Sequence, residues 1–93
     1  MCEVVWDVER RIRLEGLISI GLNYLLLERN ELKDMKTIAK LNFYMKKCKE
    51  FFEEIAKEGG TPEPYKSAID ILRRIIVVLC ERVKCLMREM RDE

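Results

Sequence analysis

Apolar residues recur at seven-residue spacing through the last two thirds of the chain, and no stretch alternates apolar and polar residues as a strand would. Between residues 62 and 91 the two rows are Ile69, Ile76, Val83 and Met90, and Leu72, Leu79 and Leu86. Between residues 31 and 58 they are Ile38, Met45 and Phe52, and Leu41, Cys48 and Ile55. Such spacing is typical of α-helices that pack as in coiled coils, so the pattern predicts an all-α protein.

Turn signals divide this pattern into three predicted helices, over about residues 3–29, 31–58 and 62–91. Gly59 and Gly60 suit the left-handed backbone that ends many helices, and Thr61 with Pro62 suits the start of the next helix. The earlier break rests on Asn30, which adopts positive φ more readily than most residues. The alternative is one helix over residues 3–58, but at about 84 Å it is too long for a monomer of this size to cover.

We therefore expect a single domain over residues 1–93, built as a three-helix antiparallel bundle with coiled-coil-like packing. Its apolar residues exceed what one such bundle hides, because the first and third predicted helices each have more than one apolar stripe. If these additional apolar residues were exposed, they would form a larger apolar surface patch than monomeric proteins usually show. The sequence thus predicts a homo-oligomer, with a dimer favoured, and an interface that contains Leu17, Leu25, Ile71, Val78 and Cys85.

Charge and composition narrow the classes of function. Lys and Arg number 18 and Asp and Glu 17, and a net charge of +1 disfavours a strongly basic nucleic-acid binder or a polybasic membrane binder. The chain has no histidine, which removes the commonest catalytic base and metal ligand. We expect neither a metal nor a cofactor. Abundant Lys, Glu and Arg without any Gln is the bias of hyperthermophile proteins.

The longest apolar stretch, residues 14–27, is shorter than the ~20 residues that a membrane span needs, and it contains Glu15 and Asn23. The start of the chain shows no basic leader followed by a hydrophobic run. We therefore expect a cytoplasmic protein without a membrane partner. Buried free thiols are expected for its cysteines, with an intermolecular disulfide through Cys2 or Cys85 as the alternative. The cysteines include no C-x-x-C pair and are Cys2, Cys48, Cys80 and Cys85.

These observations favour a small non-enzymatic protein that acts by interaction and assembly. Its mechanism would be the packing of apolar helix faces against a second copy or against another protein. The sequence contains no Gly-rich phosphate loop, no Ser/His/Asp set and no paired-carboxylate site.

A basic stripe on the second predicted helix supports an alternative function, nucleic-acid binding. Lysines can contact phosphates while a base stacks on a neighbouring aromatic ring. The stripe consists of Lys33, Lys36, Lys40, Phe43 and Lys47. An acidic segment that begins at Glu50 follows it directly, so charge is segregated along the helix. A solvated helix face is the other interpretation of these lysines, and it is the favoured one.

A second alternative rests on a resemblance. The segment from Leu25 to Leu32, followed by Ala39 and Lys40, resembles the first-helix motif of small all-helical chorismate mutases, over about 25 residues. The resemblance implies an intertwined helical dimer and a small-molecule enzyme. In that reading Arg29, Lys40 and Lys49 would clamp the carboxylates of the substrate in a pericyclic transition state. The chain departs from the motif at Ile12, where the family has an earlier catalytic arginine.

Overall fold

The computed structural model describes residues 5–92, and no strand occurs among them, so the all-α prediction is confirmed. Three long helices account for most of the chain: α1 (Val8–Leu25), α3 (Met35–Lys57) and α4 (Lys66–Asp92). A helix of one turn, α2 (Arg29–Leu32), lies between α1 and α3. A 3₁₀ turn over Glu63–Tyr65 leads directly into α4.

The structure corrects the predicted count and bounds of the helices. It has four α-helices within the described range, whereas three were predicted. The first begins at Val8 rather than at 3, because Asp7 caps its first turn by accepting a hydrogen bond from the Arg10 amide (2.8 Å). It ends at Leu25 rather than at 29. The last begins at Lys66 rather than at 62, and Thr61 does not cap it, because the 3₁₀ turn intervenes.

The break near Asn30 consists of two short interruptions on either side of α2. At the first, Arg82 of α4 donates hydrogen bonds from Nη1 to the Leu25 carbonyl (2.9 Å) and from Nη2 to the Leu27 carbonyl (3.0 Å). These carbonyls lie at the negative end of α1, where a cation is favourable. At the second, Asp34 has extended backbone and accepts a hydrogen bond from the Lys36 amide (3.3 Å), which starts α3.

Gly59 and Gly60 end α3 as the sequence predicts. Both have positive φ, 103° and 91°, a backbone region that costs other residues free energy. The Gly60 amide donates to the Ile55 carbonyl (2.9 Å), which is the bond that closes a Schellman motif. The chain then reverses direction into α4.

The three long helices run up, down and up, so α1 and α4 are parallel and α3 is antiparallel to both. Arg10 and Arg13 near the start of α1 pair with Glu58 and Glu54 near the end of α3. Arg82, late in α4, reaches the end of α1. The result is an elongated molecule of 57 × 19 × 19 Å.

One row of each predicted pair lies wholly in the core. Cys48, Leu72 and Leu79 are fully buried, and the other members of their rows are also buried: Leu41, Ile55 and Leu86. In the second rows, Ile69 and Val83 of α4 are also buried, whereas Ile38, Met45, Phe52 and Ile76 are half-buried and Met90 is exposed. Tyr44 and Phe51 of α3 take buried positions beside the first row.

Trp6 closes the end of the core at which α1 begins. Its side chain is 4% exposed and stacks on Tyr65, with ring centroids 5.0 Å apart. It also meets the Phe51 ring edge-on at 6.0 Å. Burial of large aromatic rings stabilises this end and fixes the segment before α1 against the turn before α4.

Candidate interaction surfaces

An apolar row on α4 faces solvent. Ile71 and Val78 are 49% and 44% exposed, and Cys85, seven residues farther on, is exposed as well. Residues three or four apart are neighbours on a helix, so Val78 and Cys85 both border Arg82. Because Arg82 binds the end of α1, the row lies along the side of α4 that adjoins α1.

Leu22 extends this row onto α1. It is 48% exposed and points about 160° away from Tyr24, two residues later. Tyr24 packs against Tyr44 of α3, with ring centroids 5.5 Å apart, so Leu22 lies on the flank away from α3. Leu22, Ile71, Val78 and Cys85 are termed the α1–α4 apolar face.

The five predicted interface residues therefore separate into two groups. Ile71, Val78 and Cys85 share the exposed row on α4. Leu17 and Leu25 are half-buried and pack against the core of the chain itself. The sequence did not indicate Leu22 as an interface residue. Its exposure depends on which flank of α1 meets α3, and the second half of α1 is apolar on too many sides for the pattern to show that.

The predicted basic stripe borders a second surface, a groove of about 410 Å³ between α1 and α3. Its floor is apolar, with Leu17, Ile20 and Tyr24 from α1 opposite Ala39, Phe43 and Tyr44 from α3. Lys40 and Lys47 form its rim. A smaller hollow of about 220 Å³ shares Leu17, Ile20 and Lys47 and continues toward Arg13. This connected depression is termed the α1–α3 groove.

The groove holds only part of the predicted stripe. Lys40, Phe43 and Lys47 line it, whereas Lys33 is half-buried in the turn before α3, and Lys36 is exposed but lies outside the lining. Phe43 is 62% exposed, and the Lys47 ammonium lies 5.3 Å from the centre of its ring. Lys47 therefore already occupies one face on which a base could stack. The sequence did not reveal Ile20 and Tyr24 as members of this site.

The residues of the predicted carboxylate clamp do not converge within the chain. Arg29 pairs with Glu89 of α4 and lines a hollow that also contains Arg82 and Cys85. Lys40 lines the α1–α3 groove instead. Lys49 is exposed and belongs to neither lining. None of these hollows therefore presents the three cations together.

The described cysteines are free and differ in environment. Cys48 is buried, Cys80 is half-buried and Cys85 is exposed, and Cys2 lies outside the described residues. Burial raises the pKa of the Cys48 thiol, although the neighbouring Tyr44 hydroxyl lowers it in part. Burial also raises the pKa of the Tyr44 hydroxyl, which donates to the Leu17 carbonyl at 2.6 Å. Both groups therefore stay protonated and act as packing groups at neutral pH.

Two further classes of site were sought among residues 5–92. No group of three or more cysteines and carboxylates there has the arrangement to hold a metal ion. None of the helices in this range is both long and apolar enough to cross a membrane.

Comparison with protein-family models, with curated proteins and with solved structures found no match to this chain.

Proposed function

We propose that this protein is a small helical assembly protein that self-associates through the α1–α4 apolar face. The observation that carries the proposal is the exposed row Ile71, Val78 and Cys85, at seven-residue spacing on the longest helix. A second helix packs well against such a row, because side chains spaced by seven residues stay on one side over about 21 Å of helix.

The amount of exposed surface supports the same proposal. A compact monomer of 11.1 kDa exposes about 5,700 Å², whereas this chain exposes 6970 Å². The surplus of roughly 1,300 Å² follows from the elongated shape of the chain and leaves room for a standard interface, to which each partner contributes ~800 Å². The radius of gyration of 15.3 Å is likewise larger than the ~12 Å expected for a compact chain of 93 residues. An elongated chain of this kind gains stability when a second copy covers its apolar side.

Self-association through this face also makes use of the charges around it. Arg74 and Glu81 are exposed on α4 beside the row, and polar residues of this kind form the rim of a typical interface. In a two-fold dimer, the rim of one copy lies against the same rim of the other copy. The basic residue of one copy, Arg74, can then pair across the interface with the acidic residue of the other, Glu81.

Two neighbouring valines provide a matched test. Val77 and Val78 are 56% and 44% exposed, but they point about 100° apart. Val78 lies in the apolar row, whereas Val77 lies on the far side of Arg74 and Glu81 from that row and is next to Arg73. We expect Val78→Asp to raise the dissociation constant of the dimer at least ~tenfold, because it places a carboxylate in an apolar interface. We expect Val77→Asp to leave the constant within about twofold.

The measurement is sedimentation equilibrium of both variants over about a hundredfold range of concentration, with circular dichroism to show that each variant is folded. Equal dissociation constants for the two variants would contradict the proposed face, and so would a larger effect of Val77→Asp.

A further inference from the structure

The α1–α3 groove lies on the face of the α1–α3 helix pair that α4 leaves uncovered, and it is separate from the α1–α4 apolar face. Its floor includes Ile20 and Phe43, which are 45% and 62% exposed. The lining from Arg13 to Tyr24 extends over about 17 Å of α1. A shallow apolar depression of this length between two helices has the shape that a third helix fills.

Ion pairing between α1 and α3 changes along this groove. At the end where α1 begins, Arg13 Nη1 lies 2.7 Å from Glu54 Oε2, and Arg10 pairs with Glu58. Farther along, α1 offers only apolar groove residues opposite the lysines of α3, namely Leu17, Ile20 and Tyr24. The pairing between the two helices therefore stops where the apolar floor begins.

The lysines on the rim consequently have no counter-charge from α1. Lys40 forms no ion pair with any residue of the described range. Lys47 pairs only within its own helix, with Glu50 at 3.6 Å. Lys36, one turn before Lys40, is exposed and also lacks an ion pair within residues 5–92. An apolar floor beside unmatched positive charge is complementary to an apolar stripe beside negative charge.

We propose that the α1–α3 groove is a docking site for an amphipathic helix of a partner protein, whose apolar stripe covers Leu17, Ile20 and Phe43 and whose acidic flank faces Lys40 and Lys47. The docked helix lies opposite α4 and gives the α1–α3 pair a helix on each side. The acidic flank provides orientation and partner choice, and the apolar stripe provides most of the affinity.

The probe is a fluorescently labelled synthetic helix of about 16 residues, long enough to be helical on binding, with a leucine stripe and glutamates on its flanks. A second peptide has the same stripe but lysines in place of the glutamates. Fluorescence anisotropy with the unmodified protein is expected to show saturable binding of the acidic peptide and at least tenfold weaker binding of the basic one. Equal binding of both peptides, or no binding of the acidic one, would overturn the proposal.

Charge reversal on the protein gives the reciprocal test. The double variant Lys40→Glu with Lys47→Glu is expected to bind the acidic peptide at least tenfold more weakly and the basic peptide more tightly. The control is Lys46→Glu with Lys49→Glu, which reverses two exposed lysines of the same helix outside the groove and should bind as the unmodified protein does. Loss of acidic-peptide binding in the control alone, or to the same extent in both, would contradict the assignment of the groove.

Two competing occupants are tested in the same assay. A labelled single-stranded oligonucleotide that binds the unmodified protein and loses affinity only in the Lys40/Lys47 variant would overturn the proposal in favour of nucleic acid. Dissociation of the assembled protein in that variant would overturn it in favour of a second copy of this chain. We expect neither result, and the molecular mass of the Lys40/Lys47 variant should equal that of the unmodified protein at each concentration.

Discussion

Gly21 is the residue at which α1 comes close to both other long helices. A β-carbon built on Gly21 would collide with the Tyr44 hydroxyl and would lie 2.6 Å from Cγ2 of Ile75. The absence of a side chain lets Tyr44 reach past it to the Leu17 carbonyl. Gly16, on another side of α1, has open space around it.

The two glycines of α1 therefore predict opposite effects of the same substitution. Gly21→Ala should lower the free energy of unfolding by about 1–3 kcal/mol, because the added methyl group overpacks a filled site. Gly16→Ala should raise it by about 0.5–1 kcal/mol, because alanine favours a helix interior and meets nothing within 4 Å. Urea unfolding followed by circular dichroism measures both. A neutral or stabilising Gly21→Ala would contradict the close packing of the three helices at this point.

Arg82 determines how α1 ends, and it does so from a distant part of the sequence. Its guanidinium satisfies two backbone carbonyls, those of Leu25 and Leu27, and it lies half-buried between α1 and α4. Hydrogen bonds to a charged group contribute more than those between neutral groups. Removing this one side chain leaves the end of α1 without those partners.

Arg82→Met keeps a long apolar side chain but removes the donors. We expect it to lower the free energy of unfolding by about 1.5–3 kcal/mol. Arg88→Met on the same helix, where the arginine is exposed, should change it by less than about 0.5 kcal/mol. Chemical denaturation of the two variants side by side is the measurement. If both variants unfold at the same denaturant concentration, the capping role assigned to Arg82 is wrong.

Local signals in the sequence were sufficient for some elements and not for others. The glycine pair at the end of α3 and the buried rows of α3 and α4 depend on neighbouring residues, so spacing and backbone preference predicted them. The break after α1 was expected near Asn30, but its position at Leu26 to Glu28 depends on Arg82, which is remote in sequence. The groove was missed because it requires knowing which flank of α1 faces α3.

At the scale of the whole molecule, the chain places two different surfaces on opposite flanks of α1. The charge that borders the row of the α1–α4 apolar face, Arg82, is bound to carbonyls of α1, and the face suits an identical copy. The α1–α3 groove combines an apolar floor with lysines that have no counter-charge on α1 and suits a partner of opposite charge. A bundle of three long helices exposes more surface for its mass than a compact domain does, and that surface accommodates both sites.

Whether the protein self-associates is decided by the molecular mass of the unmodified protein in solution. Sedimentation equilibrium, or light scattering coupled to size-exclusion chromatography, should give twice the chain mass of 11.1 kDa at concentrations of about tens of micromolar, and a lower mass on dilution. A mass of 11.1 kDa at every concentration would contradict the account.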